Sequence, residues 1–104
     1  MTYQELHSLL EGGMGVPFAL HHWDKPPSMP YGVYFDDGTD NFVADGIVYH
    51  VVRSFNVELY ARQRDPALEG RMESLLDGAG LSWDKNVDYL EDERAYQISY
   101  EIEV

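Results

Sequence analysis

The sequence predicts an α+β fold: an antiparallel sheet with a long β-hairpin, covered on one face by two short helices. Three observations carry that prediction. Asp45-Gly46, the dipeptide that best tolerates a type I′ turn, lies between the strand-forming runs Phe42-Val43-Ala44 and Ile47-Val48-Tyr49. Asp65-Pro66 pairs a helix N-cap with a proline at the first helical position, where its missing N–H costs nothing. The C-terminal segment alternates, with Tyr96, Ile98, Tyr100, Ile102 and Val104 on one side and Gln97, Ser99, Glu101 and Glu103 on the other.

In chain order, Thr2 and Glu5 match a capping box, and Tyr3, Leu6, Leu9 and Leu10 recur at helical spacing. This predicts a helix over residues 2–11 that Gly12 and Gly13 end. Val16 to Trp23 reads as an edge strand, because Pro17 cannot donate to a ladder. Asp24 to Pro30 is a proline-rich loop. Tyr31, Val33 and Phe35 share one face of the next strand, and Asp36-Asp37-Gly38-Thr39-Asp40 reads as a turn by composition. The strand after Asp45-Gly46 runs on to Tyr60, with Val51, Phe55, Val57 and Leu59 on one side and Ser54, Asn56 and Glu58 on the other. Leu68, Met72, Leu75 and Leu76 give the core stripe of a helix over 66–77, which Gly78 or Gly80 ends. Leu81 to Trp83 reads as a short strand followed by a turn.

The 104 residues suit a single domain, 1–104, that buries roughly two thirds of its unfolded surface. No apolar stretch approaches the roughly 20 residues that span a bilayer, so no membrane partner is expected. The first residues lack the order of a signal peptide, which reads as assembly in the cytoplasm. The absence of cysteine excludes thiolate metal sites and a cysteine nucleophile. The net charge of −12 opposes specific nucleic-acid binding, although Arg53, Arg62, Arg64 and Arg71 fall in one stretch.

Chemistry-bearing clusters are few. His21, His22, Asp24 and His50 come nearest to a metal or acid–base set, but adjacent strand residues point to opposite faces. Asp36, Asp37 and Asp40 resemble part of a calcium loop without its spacing or its bidentate Glu. Glu91 and Glu93 form one carboxylate pair among many. The reading is no enzyme, no cofactor and no metal, with binding or assembly as the default. Eight tyrosines, four phenylalanines and two tryptophans are more than a sheet face and two helices readily cover, which also points to a partner.

The chain resembles small tail-component proteins of long-tailed phages and prophages of Gram-positive bacteria. The resemblance rests on Pro26-Pro27-Ser28-Met29-Pro30-Tyr31-Gly32-Val33-Tyr34, Asp40 to Tyr49, Val57-Glu58-Leu59-Tyr60, the Asp65-Pro66 helix start and Tyr96 to Val104. It covers nearly the whole chain through order and spacing rather than any single motif. It implies a tail terminator-like structural subunit of the virion tail, a homo-oligomer closing as a ring, commonly of six. Such a ring meets the tail tube and the head–tail connector proteins, and adjoining connector and completion proteins share its size and architecture. If so, the hairpin and the proline loop supply the interface, with Trp23, Met29, Phe42, Asp45 and Ile47 as anchors and Arg53 and Arg62 at subunit contacts. Acids in turns, Asp36, Asp37, Asp40 and Glu91-Asp92-Glu93, would then face passing DNA. Two other classes stand beside this one: a small acidic cytoplasmic binding module, and a DNA-mimic inhibitor with acids gathered on one face.

Overall fold

The computed structural model describes the backbone of residues 3–44 and 47–103, and the side chains of 3–36 and 54–103. Helix α1 spans Tyr3–Met14, and strand β1 spans Phe18–Leu20. Strands β2, Tyr31–Ala44, and β3, Ile47–Ala61, precede helix α2, Pro66–Gly78. Strands β4, Ser82–Leu90, and β5, Ala95–Glu103, complete a five-stranded sheet in the order β1-β2-β3-β5-β4. All neighbours are antiparallel except β1, which pairs parallel to Gly32–Tyr34 at the edge.

Both helices pack on one face of the sheet. Leu6, Leu10 and Met14 from α1, and Leu68, Met72 and Leu76 from α2, meet Phe18, Tyr34, Phe55, Val57, Leu59, Ile98, Tyr100 and Ile102. The registers Phe55↔Ile102, Val57↔Tyr100 and Leu59↔Ile98 put the alternating apolar residues on this side. Gly32 belongs to the same face, and a Cβ there would collide with the Phe18 ring, so only glycine lets that ring lie on β2.

Four boundaries differ from expectation. Helix α1 runs through Gly12 and Gly13 to Met14, and the left-handed residue is Gly15 at φ 71°. Met14 gains a fully buried site by staying helical, and its carbonyl is capped by Arg71 Nη1 at 3.0 Å. Gly13 marks the crossing of the helices, since a Cβ there would sit 2.5 Å from Leu75 Cδ1. Strand β1 keeps only three of the eight expected residues, because His21 takes φ 69° and turns the chain away.

The expected turn at Asp36–Asp40 lies inside β2, where it leaves a register shift between Asp36 and Thr39. The extra residue of a bulge absorbs the turn-forming Asp37-Gly38 without ending the strand. Similarly, Ser82–Leu90 is one nine-residue strand rather than a short strand and a turn. Its poor strand formers, Asp84, Asn86 and Asp88, are held by continuous pairing to β5, which outweighs local preference.

The signals for α2 and for the hairpin strands match closely, while Thr2 of the expected capping box and Val104 of the last strand lie outside the described residues. Asp65 caps α2, its Oδ1 accepting from the Leu68 N–H at 3.1 Å. Gly80 at φ 73° ends that helix, with its N–H on the Asp77 carbonyl and the Leu81 N–H on the Leu76 carbonyl. That pair of bonds is the Schellman closure. The pairing Ala44↔Ile47 closes β2 and β3 into one long hairpin, whose Asp45-Gly46 turn lies outside the described residues.

Candidate functional site

Two features follow from this topology: an arm and an open face. Strand β1 accompanies β2 only at Gly32–Tyr34, and β5 accompanies β3 only from Ser54 to Ala61. Beyond those limits, Thr39–Ala44 and Ile47–Arg53 pair with each other and with no other described strand. The arm is thus a two-stranded ribbon extending from the end of a five-stranded sheet.

The face opposite the helices holds Tyr31, Val33 and Phe35 of β2, and Ser54, Asn56, Glu58 and Tyr60 of β3. It continues through Gln97, Ser99, Glu101 and Glu103 of β5, and Ser82, Asp84, Asn86 and Asp88 of β4. Tyr31, Val33 and Phe35 do share a face as expected, but it is this one rather than the helix-covered core. No described strand position on the face carries Lys or Arg. Asp84 lies directly across from Glu101, a like-charge pair that costs stability. A cavity of about 240 Å³ lies between Ser54, Ser82, Asp84, Glu101 and Glu103.

At the other end the face turns aromatic. Tyr31 and Tyr60 are cross-strand partners with stacked rings, centroids 5.2 Å apart at 21°. Trp23 meets Tyr31 edge-on at 6.1 Å, and its indole N–H donates to the Gly32 carbonyl at 2.9 Å. The Tyr60 hydroxyl donates to Glu58 Oε1 at 2.9 Å and accepts from Gln97 Nε2 at 2.8 Å. Burial first, then the Glu58 charge, push the Tyr60 hydroxyl up to about 12, so it stays a neutral donor. Trp23, Tyr31, Glu58 and Tyr60, with His21, His22, Pro26, Val33 and Glu93, line a cleft of about 250 Å³.

The candidate interface residues separate in space. Trp23 lines the aromatic cleft, whereas Met29 and Arg62 line a second cavity of about 260 Å³ with Pro30, Ala61, Gln63, Asp65 and Leu68. The Met29–Pro30 peptide bond is cis. Phe42, Ile47 and Arg53 occupy arm positions whose side chains are not described, and Asp45 lies outside the described residues. Two of the clustered arginines serve the fold: Arg71 caps α1, and Arg64 grips Glu69 through two bonds of 2.8 Å. Arg62 Nη1 donates to the Glu93 carbonyl at 3.3 Å.

Other polar clusters have structural explanations. Glu69, 5% exposed, joins Arg64 to Lys85, and Lys85 also reaches Glu73 at 2.7 Å. The Arg64 bonds, opposed by burial and aided by Lys85, hold the Glu69 carboxyl down at about 2. Tyr34 Oη, His7 Nδ1, His7 Nε2 and Glu11 form a chain with steps of 2.8 and 3.3 Å that resembles a nucleophile relay. Burial and, less strongly, Glu11 raise the Tyr34 hydroxyl, the opposite of activation. His22 bonds Asp24 at 3.2 Å on the surface. Among the described residues, no three His, Asp or Glu side chains gather as a metal site.

Sequence reasoning named Trp23 but missed Tyr31, Tyr60, Glu58 and Glu93 as its neighbours. One signal was present: Tyr60 shares the polar alternation of Ser54, Asn56 and Glu58, so an aromatic ring was due on the wet side of β3. No family model matches this chain, and no curated protein matches it.

Proposed function

We propose that this protein is a structural subunit of a phage or prophage tail, forming or joining a ring at the head-proximal end of the tail tube. The observation that carries this reading is the arm. A two-stranded ribbon is at best marginally stable in water, because neither strand has a neighbour on its outer edge. An arm spanning Thr39–Ala44 and Ile47–Arg53 therefore gains most when a second molecule lies along it.

Ring closure joins unlike patches, so each subunit must offer two surfaces. The arm is one, and the cavity of Met29, Pro30 and Arg62 beside the end of the proline loop is a candidate for the other. Carboxylates facing the lumen would let DNA slide without sticking, provided they lie within the screening length of about 8 Å. The sequence resemblance supplies the tail; the arm supports assembly. A second reading, a DNA-mimic inhibitor, is favoured by one observation: Glu58, Asp84, Asp88, Glu101 and Glu103 share a face without Lys or Arg at its described strand positions.

Deleting the gene from the genome that carries it should yield tail tubes of uncontrolled length without joined heads, seen by electron microscopy. Restoring it without residues 43–48 should give a folded subunit, by circular dichroism, that fails to rescue. Normal virions in either case overturn the reading.

A further inference from the structure

We infer that the cleft between Trp23, Tyr31 and Tyr60 is a receptor for an arginine side chain presented by a partner protein. This goes beyond the assembly reading and stands on the cleft alone, so a chain that never forms a ring could still bind in this way.

The chemistry of the walls selects a cation. The faces of Tyr and Trp rings attract positive charge, and Arg prefers such faces because its guanidinium is planar and weakly hydrated. Here the three rings line one cleft together with Glu58, Glu93, His21 and His22. An anion would meet the two acids Glu58 and Glu93, and a purely apolar group would draw charged carboxylates out of water. A guanidinium satisfies both, stacking on a ring while its N–H groups donate to a carboxylate.

The walls are also held in place before any ligand arrives. The Trp23 indole is fixed by the Gly32 carbonyl, the Tyr31 ring is stacked on Tyr60, and the Tyr60 hydroxyl is fixed between Glu58 and Gln97. Little rotamer freedom remains to be lost on binding, which favours affinity from a small contact. Gln97 and Glu58 do not belong to the helix-packed core, so these bonds order the open face specifically.

Charge complementarity argues for a protein rather than a free amine. From Glu58 the open face leads to Asp88, Glu101, Asp84 and Glu103, with no Lys or Arg at the described strand positions between them. A basic segment that places one Arg in the cleft can lay further cations along this row. A free small cation would reach the cleft alone and forgo the rest.

The test uses the intact protein and a seven-residue peptide, Ac-GKGRGKG-amide, with its citrulline analogue and choline chloride as controls. The readout is the pair of indole N–H signals in a heteronuclear NMR spectrum. Trp83 is the internal control, since its Nε1 bonds Asp77 on the helix-covered side. The Arg peptide should shift the Trp23 signal saturably and leave Trp83 in place. The citrulline peptide and choline should each bind at least tenfold more weakly. Tyr31→Leu and, in the exposed turn, Glu93→Gln should each weaken the Arg peptide about fivefold or more. Equal binding of arginine and citrulline peptides, equal shifts of both indoles, or tighter binding of choline would overturn the inference. So would unchanged affinity in a folded Glu93→Gln protein.

Discussion

On the helix-covered face, Glu69 lies buried between Arg64 and Lys85; on the open face of the same sheet, Asp84 sits directly across from Glu101. One carboxylate is paired at the cost of two cations, while the other faces its own kind. Burial explains the first, because a charge removed from water must be matched or neutralised. Water tolerates the second at a modest cost, and the fold does nothing to remove it. The helix face is arranged for stability, whereas the open face keeps a charge pattern that serves stability poorly and that a basic partner would relieve.

The contrast is sharpest in apolar volume. Phe55 is fully buried in the helix-covered core, and Phe55→Ala should cost about 3–5 kcal/mol by chemical denaturation. Ser99, on the open face, should change stability by less than about 0.5 kcal/mol when replaced by Ala. A comparable loss at Ser99 would mean that the open face is covered within the isolated subunit.

Glu69→Gln probes the buried charge. It should cost on the order of 2–3 kcal/mol near neutral pH, because Arg64 and Lys85 lose their common partner. The sign with pH follows from a carboxyl held at about 2 in the folded chain against an ordinary 4.5. Its contribution is complete above about pH 4.5 and fades as pH falls towards 2, so the gap between the two proteins should close over that window. A gap that persists unchanged at pH 2 would assign the effect to packing rather than charge.

The smallest effect is expected on the open face. Asp84→Lys turns a repulsive cross-strand pair with Glu101 into an attractive one and should raise stability by roughly 0.5 kcal/mol at low salt. Adding salt should erase the gain. A destabilising result would show that Asp84 has a favourable role within the isolated chain, breaking the contrast between the faces.

Local chemistry was sufficient to read the α+β class, the Asp65-capped helix, the hairpin and the alternating last strand directly from residues, because each is set by near neighbours. It was insufficient where distant partners decide. Gly12 and Gly13 signal a helix end, yet the helix continues because Met14 reaches the core and Gly13 admits Leu75. Asp84, Asn86 and Asp88 signal a turn, yet β5 draws them into a strand. The aromatic cleft was beyond such reasoning for the same cause. Tyr31 and Tyr60 are separated by nearly thirty positions of chain, and only the β2–β3 register stacks them, with the β1–β2 loop and the β4–β5 turn bringing Trp23 and Glu93 alongside. Alternation along a strand fixes which side a residue takes, but tertiary pairing alone fixes which residues it meets there.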